Sequence, residues 1–146
     1  MFETVVVATD GSDSVARAVE YALDLASRFD AAVHALYVVD EGRVEALPEA
    51  VRSEVRTALD VQSEAALQRV VEANDTREEP VELETAVRVG RPATEIVGYV
   101  RDADADAAAL GTRGRSGEHS FLLGSVAEQV VRTCPEPVLT VRQLEA

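Results

Sequence analysis

The chain has 146 residues, 47% of them apolar, which is enough for a continuous core, and we expect residues 1–146 to form a single domain. It carries 27 acidic and 14 basic residues, a formal net charge of -13, so we exclude nucleic acid and anionic membranes as partners. No run of 18 apolar residues and no signal-peptide pattern is present, so we expect a cytoplasmic protein without a membrane span.

The first half of the chain alternates between strand-like and helix-like patterns. A strand, a helix, a second strand, a polar connection and a second helix are predicted at residues 4–8, 12–30, 31–39, 40–48 and 49–73. The first strand is an apolar, β-branched run that stops at a turn containing Asp10, and Ser12 is the expected N-cap of the helix that follows.

The second half continues the alternation. A strand, a helix, a strand, a helix and a last strand are predicted at residues 81–89, 92–100, 107–110, 125–132 and 138–141. Apolar and polar side chains alternate in the first of these strands, which indicates a sheet edge with one wetter face. Alternating strands and helices favour parallel pairing through right-handed crossovers, so we predict a three-layer α/β fold around a five-stranded parallel sheet.

Glycines cluster between the fourth predicted strand and the last helix. The three that define the spacing are Gly111, Gly114 and Gly124. Because glycine has no Cβ, main-chain N–H groups there can approach an oxyanion, and the helix that begins near Ser125 adds unpaired N–H groups and a positive dipole end. Arg113 and Arg115 supply local cations on an otherwise acidic chain. The segment therefore predicts a phosphate-binding loop.

Two common phosphate loops are excluded. A Walker A loop needs a lysine, and the chain contains none. The turn after the first strand has only Gly11, so it is not the G-x-G-x-x-G turn of a dinucleotide site. What remains is G-x2-G-x9-G followed by Ser125.

With this motif the chain resembles the ATP-binding branch of the universal stress protein family. Residues 5–12, 124–128 and 134–141 agree with that family as well, so the resemblance spans nearly the whole chain. It implies a Rossmann-like sheet of the adenine nucleotide alpha hydrolase type, with strand order 3-2-1-4-5. In such a sheet, ligands bind at the switch point between strands one and four.

The resemblance also implies contacts for the base and the ribose. The main chain of Val38 would meet the adenine. Asp10, with Ala8 and Thr9 beside it, would lie near the ribose.

The phosphates, by the same resemblance, would lie in the glycine-rich loop, where the three glycines give them room. Ser125 and the Val126 N–H would donate to phosphate oxygens, and Arg113 and Arg115 would offset their charge. ATP would bring Mg²⁺ mainly on its own phosphates, with Asp10 as a candidate further ligand. Arg113 stands where the family often has His, and Glu118 adds a carboxylate; either could weaken phosphate affinity or change its salt dependence.

Simpler roles exist for the same residues. Ser125 and Glu128 have the spacing of a capping box, so the serine could close its own helix, and this alternative stays open beside the phosphate contact. Asp10 could be only a turn residue, although its place opposite the loop favours a site. We expect His34 to be a satisfied core residue and His119 a solvated loop residue. Cys134 is the only cysteine, so it forms no intramolecular disulfide, and we expect it to pack at a helix end.

Three functions fit these features. The leading hypothesis is an ATP-binding stress protein that senses or signals nucleotide state without turnover. The second is slow ATP hydrolysis or phosphoryl transfer, with Asp10 orienting water or metal. The third is an interaction module, since the resemblance implies a homodimer paired across the last strand, Val138 to Val141.

All 14 basic residues are arginines, and a dense carboxylate surface without lysine suggests a cytoplasm rich in salt. Because the Debye length falls to about 3 Å at 1 M salt, repulsion between the carboxylates weakens there. We predict that the melting temperature rises from dilute buffer to molar KCl. Thermal unfolding followed by circular dichroism measures this, and equal stability at all salt concentrations would contradict it.

Overall fold

The computed structural model describes residues 2–112 and 123–143, in which strands and helices alternate. The strands are β1 (Thr4–Ala8), β2 (Ala32–Asp40), β3 (Leu83–Gly90), β4 (Ala107–Gly111) and β5 (Val138–Val141). The helices are α1 (Ala16–Phe29), α2 (Glu41–Glu45), α3 (Glu49–Asp75), α4 (Pro92–Asp102) and α5 (Ser125–Thr133). A 3-10 turn, Asp13–Val15, precedes α1.

The strands of the described residues form a parallel sheet in the order β3-β2-β1-β4-β5. The predicted α/β fold with strand order 3-2-1-4-5 is therefore confirmed, and so is the position of the third strand at an edge. β1 lies in the centre, where Val6 is opposite His34 of β2 and Ala108 of β4.

Helices cover both faces of the sheet, and the alternation of side chains along β1 shows why. Val5 and Val7 are buried in a core shared with α1 and α3. Val6 points the other way and is buried in a second core shared with α4 and α5. A central parallel strand is thus apolar on both faces, which explains the unbroken valine run in the sequence.

Residues 40–48 are not only a polar connection, as predicted, because they contain α2. The Asp40 carboxylate accepts a hydrogen bond from the Gly42 N–H at 3.1 Å and so caps this helix. Val44 is fully buried. The burial of Val44 and the Asp40 N-cap therefore help to stabilise a helix that is too short to be stable by itself.

Ser12 occupies the N-cap position of the 3-10 turn, but it does not cap with its side chain. Its hydroxyl donates to Asp10 Oδ1 at 2.5 Å, which orients the side chain toward the turn that follows β1.

His34 is a satisfied residue, as expected. Its Nδ1 lies 2.8 Å from the Tyr99 hydroxyl, and its Nε2 lies 2.8 Å from Glu84 Oε2. Burial raises the pKa of Tyr99 above its ordinary value, and the nearby Glu84 carboxylate adds to this, so the tyrosine keeps its proton. The Nε2–H donates to Glu84, and Nδ1 shares a hydrogen bond with the Tyr99 hydroxyl.

Cys134, at the end of α5, is partly buried against the second core, as expected. Among the helices of residues 2–112 and 123–143, none has the length and apolar content to cross a lipid bilayer.

Candidate functional site

A cleft opens at the carboxyl end of the sheet because the chain leaves neighbouring strands in opposite directions. β1 is followed by α1 on one face, whereas α5, which follows β4, packs on the other. A cavity of about 450 Å³ lies between them, within the size range of small-molecule sites. The residues predicted to bind nucleotide that line it are Ala8, Thr9, Asp10, Val38, Gly111, Gly124, Ser125 and Val126.

Arg113, Gly114 and Arg115, which complete the predicted site, lie outside the described residues, as do Glu118 and His119. The structure thus brings together the predicted residues from β1, β2, β4 and α5. Their role in binding stays a prediction.

The main chain of Val38 has unpaired polar groups at the cavity. In a parallel strand, the N–H and C=O of one residue point to the same neighbour, and successive residues alternate. The Leu36 C=O accepts from the Thr9 N–H at 2.9 Å, so Leu36 and Val38 both face the β1 side. β1 has ended there, and within residues 2–112 and 123–143 no main-chain bond joins Val38 to β1 or to the turn after it. One donor and one acceptor therefore face the cavity side by side.

The turn after β1 is built around Asp10. Its Oδ1 accepts from both the N–H and the hydroxyl of Ser12, at 2.9 and 2.5 Å. The Gly11 N–H donates to Thr9 Oγ1 at 3.1 Å. Asp10 is therefore a turn residue and a cavity residue at once, and in the described part of the chain its Oδ2 has no such partner.

Arg69 of α3 holds this turn from the opposite side. Its guanidinium donates to the Gly11 carbonyl and to Asp13 Oδ1, the latter at 2.9 Å. Gly11 has a φ of +79°, and a Cβ there would lie 3.0 Å from the Ala66 Cβ. A residue with a Cβ would be strained and crowded in this turn, so glycine suits position 11.

The other end of the cavity is the start of α5. The Gly124 N–H donates to the Thr112 carbonyl at 2.7 Å, which brings the returning chain against the end of β4. Gly124 is the N-cap and Ser125 the first helical residue. The first intrahelical bond runs from the Glu128 N–H to the Gly124 carbonyl, so the preceding N–H groups, including that of Val126, have no partner within the helix.

The capping box considered for Ser125 is not formed. Ser125 lies one position past the N-cap, and the Glu128 carboxylate accepts from Arg132 at 2.6 Å instead of turning back to the helix start. The glycine at position 124 takes the cap, because its main chain is held by Thr112. This leaves the serine hydroxyl at the cavity.

The charges on the described part of the lining are few. Asp10 and Asp40 contribute carboxylates, and Arg43 contributes a guanidinium whose Nε lies 3.6 Å from Asp40 Oδ2. The described residues contain no group of three or more potential metal ligands. A polyanion in this cavity therefore needs cations from elsewhere, from the arginines at 113 and 115 or from a metal that it brings with it.

One wall of the cavity was not predicted from the sequence. It consists of apolar side chains from α2, the segment after it and the first half of α3: Val44, Leu47, Val55 and Leu59. The spacing of Val44 and Leu47, three residues apart in a polar stretch, was the available signal.

Comparison with known proteins gives a consistent result over the whole chain. The model of the universal stress protein family matches residues 1–142. A universal stress protein of Methanocaldococcus jannaschii is 36% identical over 144 residues, which cover 98% of this chain and 84% of that protein.

Solved structures agree. The universal stress protein UspA from Lactobacillus plantarum superposes with a TM-score of 0.82 at 27% identity, covering 97% of this chain and 98% of that one. A universal stress protein in complex with cAMP has a TM-score of 0.68 at 28% identity and covers 97% of each chain. On the evidence of the fold, the glycine spacing and these matches, the chain belongs to the universal stress protein family.

Proposed function

We propose that this chain binds an adenine nucleotide, ATP with Mg²⁺, in the 450 Å³ cavity, and acts in the cytoplasm as a nucleotide-dependent regulatory protein of the stress response. The observation that carries the proposal is the pair of unpaired main-chain groups of Val38 at one end of the cavity. The unpaired N–H groups at the start of α5 form the other end.

Val38 suits adenine in particular. Adenine carries a donor, the N6 amino group, beside an acceptor, N1, on its Watson–Crick edge. The Val38 C=O would accept a hydrogen bond from the N6 amino group, and the Val38 N–H would donate one to N1. The apolar walls from Leu36, Val44 and Ile96 would enclose the ring.

The phosphates would extend along the turn after β1 toward α5. There the Ser125 hydroxyl and the Val126 N–H would donate to phosphate oxygens, with support from the helix dipole. Gly111 and Gly124 keep this passage free of side chains. The proposed loop residues Arg113, Gly114 and Arg115 would complete the phosphate end.

Magnesium fits the donor set. Mg²⁺ is usually held by substrate phosphates, waters and one or two carboxylates, and Asp10 Oδ2 is the free carboxylate oxygen on this side of the cavity. The metal would supply positive charge that the described lining, with two carboxylates and one guanidinium, lacks.

The cAMP complex of a 28% identical relative supports nucleotide binding in this family. It is evidence about that protein, and the choice of ATP here depends on the phosphate end described above. Binding, rather than turnover, is the proposed activity.

We predict saturable ATP binding in the presence of Mg²⁺ at molar KCl, and weaker binding by Ser125→Ala. Loss of one hydrogen bond to a charged phosphate should raise the Kd about tenfold. Equilibrium titration with labelled ATP measures both. Thr133→Ala, which removes a hydroxyl from the far end of α5, is the matched control and should bind like wild type. No saturable binding by the wild type below millimolar ATP would defeat the proposal.

The Val38 contacts predict discrimination against guanine. In the adenine pose, guanine O6 would face the Val38 C=O and guanine N1–H would face the Val38 N–H, so both hydrogen bonds would become repulsive. We expect GTP to compete about a hundredfold less well than ATP for the labelled probe. Equal competition by the two nucleotides would show that the main chain of Val38 does not read the base.

We also propose that the chain forms a homodimer across β5. This strand lies at an edge of the sheet formed by the described residues, so among them its outer main-chain groups have no strand partner, and Leu139 within it is 39% exposed. Light scattering should give twice the 15.7 kDa monomer mass with and without ATP. Leu139→Arg should shift the mass toward the monomer, whereas Val61→Arg on the exposed face of α3 should not. A monomeric wild type would remove the dimer without affecting nucleotide binding.

A further inference from the structure

The wall of the cavity formed by α2 and the first half of α3 is attached to the fold differently from the other walls. Within residues 49–62 no side chain is buried, and only Arg52, Val55 and Leu59 are half-buried. In the second half of α3, by contrast, Ala66 and Val70 are packed in the core. Of the first half, Leu59 also packs against this core, but only from a half-buried position. The first half therefore covers the cavity with few core contacts, whereas the second half packs closely on the sheet.

Two arginines of α3 join this half-helix to α2. Arg52 donates from Nε to the Leu47 carbonyl at 3.0 Å and from Nη2 to the Glu45 carbonyl at 2.9 Å. These carbonyls lie at and beyond the end of α2, where a helix has no partners of its own for its C=O groups. Arg56 adds an ion pair with Glu41 at 2.6 Å, between an exposed guanidinium and a half-buried carboxylate. We name α2 and residues 46–62 the cap.

Of the two arginines, Arg52 is expected to contribute more to the position of the cap. A surface ion pair such as Arg56 with Glu41 contributes little in water. A guanidinium that donates to two main-chain carbonyls makes two charge-assisted hydrogen bonds, and its planar fork fixes the relative position of the carbonyls. Through Glu45 and Leu47 it sets where Val44 and Leu47 face the cavity.

We propose that Arg52 is a positioning residue for the base end of the nucleotide site. Without contact to the ligand, it holds the cap so that Val44, Leu47 and Val55 form the wall against which the purine packs. The inference depends on the proposed function, since it assigns the base to this end of the cavity. It predicts that loss of Arg52 weakens recognition of the base and leaves recognition of the phosphates unchanged.

The experiment compares three ligands in competition with labelled ATP: ATP itself, adenosine and inorganic tripolyphosphate, each with Mg²⁺. For Arg52→Ala we expect the Kd of ATP and of adenosine to rise by the same factor, about tenfold, from the loss of two hydrogen bonds. The Kd of tripolyphosphate should change by less than about twofold, since its site is remote from the cap. Arg52→Lys, which keeps the charge but cannot form the fork, should fall between Arg52→Ala and wild type.

Arg28→Ala is the matched control. Arg28 is an exposed arginine of α1 whose Nε pairs with Asp24 at 3.0 Å, far from the cap. It should leave all three affinities unchanged. An equal loss of tripolyphosphate and adenosine binding in Arg52→Ala would show a general structural defect and overturn the proposal, as would unchanged adenosine binding.

Hydrogen exchange of the ligand-free protein provides a second readout. In Arg52→Ala, or in Arg52→Lys if the alanine variant does not fold, amides of residues 41–62 should exchange faster and those of 63–75 should not. Faster exchange along the whole of α3 would overturn the proposal.

The binding data distinguish failure of the proposed function from failure of the inference. If the wild type binds neither ATP nor adenosine, both fail. If the wild type binds both ligands and Arg52→Ala binds adenosine equally well, only the inference fails.

Discussion

The candidate site depends on the point at which β1 stops hydrogen bonding to β2. A parallel sheet uses every main-chain group of a central strand for as long as both neighbours continue. Here the chain turns away at Asp10 while β2 continues to Asp40, so within residues 2–112 and 123–143 the Val38 N–H and C=O have no main-chain partner at the cleft. Unpaired main-chain groups beside apolar walls are costly unless a ligand or water satisfies them.

The two ends of the cavity differ in chemical character. The end proposed for the base is apolar and carries one donor and one acceptor, so it would select by shape and by hydrogen-bond pattern. The end proposed for the phosphates offers N–H groups at the start of α5 and one carboxylate oxygen of Asp10, so it would select by charge. A net charge of -13 makes the binding of phosphates less favourable, because the negative field of the protein repels a polyanion unless a metal ion or arginine compensates for it.

The walls also differ in rigidity. The Asp10 turn is fixed by Ser12 and Arg69 and by the close approach of Gly11 to Ala66. The cap is joined to the fold by the buried Val44, the half-buried Leu59 and the contacts of Arg52 and Arg56. A ligand between them would bridge a rigid surface and a softer one, which is how a binding site can change the order of one segment without moving the rest of the sheet.

The sequence by itself determined the order of strands and helices, the parallel sheet and, through the resemblance carried by the glycine spacing, the family. Those features are local: a valine run or a G-x2-G-x9-G spacing is visible without knowing what lies opposite. The tertiary structure decided what depends on distant partners. Gly124, whose N–H donates to the Thr112 carbonyl, is the N-cap of α5, and Arg52 of α3 reaches the carbonyls at and beyond the end of α2. Such contacts cannot be predicted from a local sequence pattern, because each one joins segments that come close together only in the folded chain.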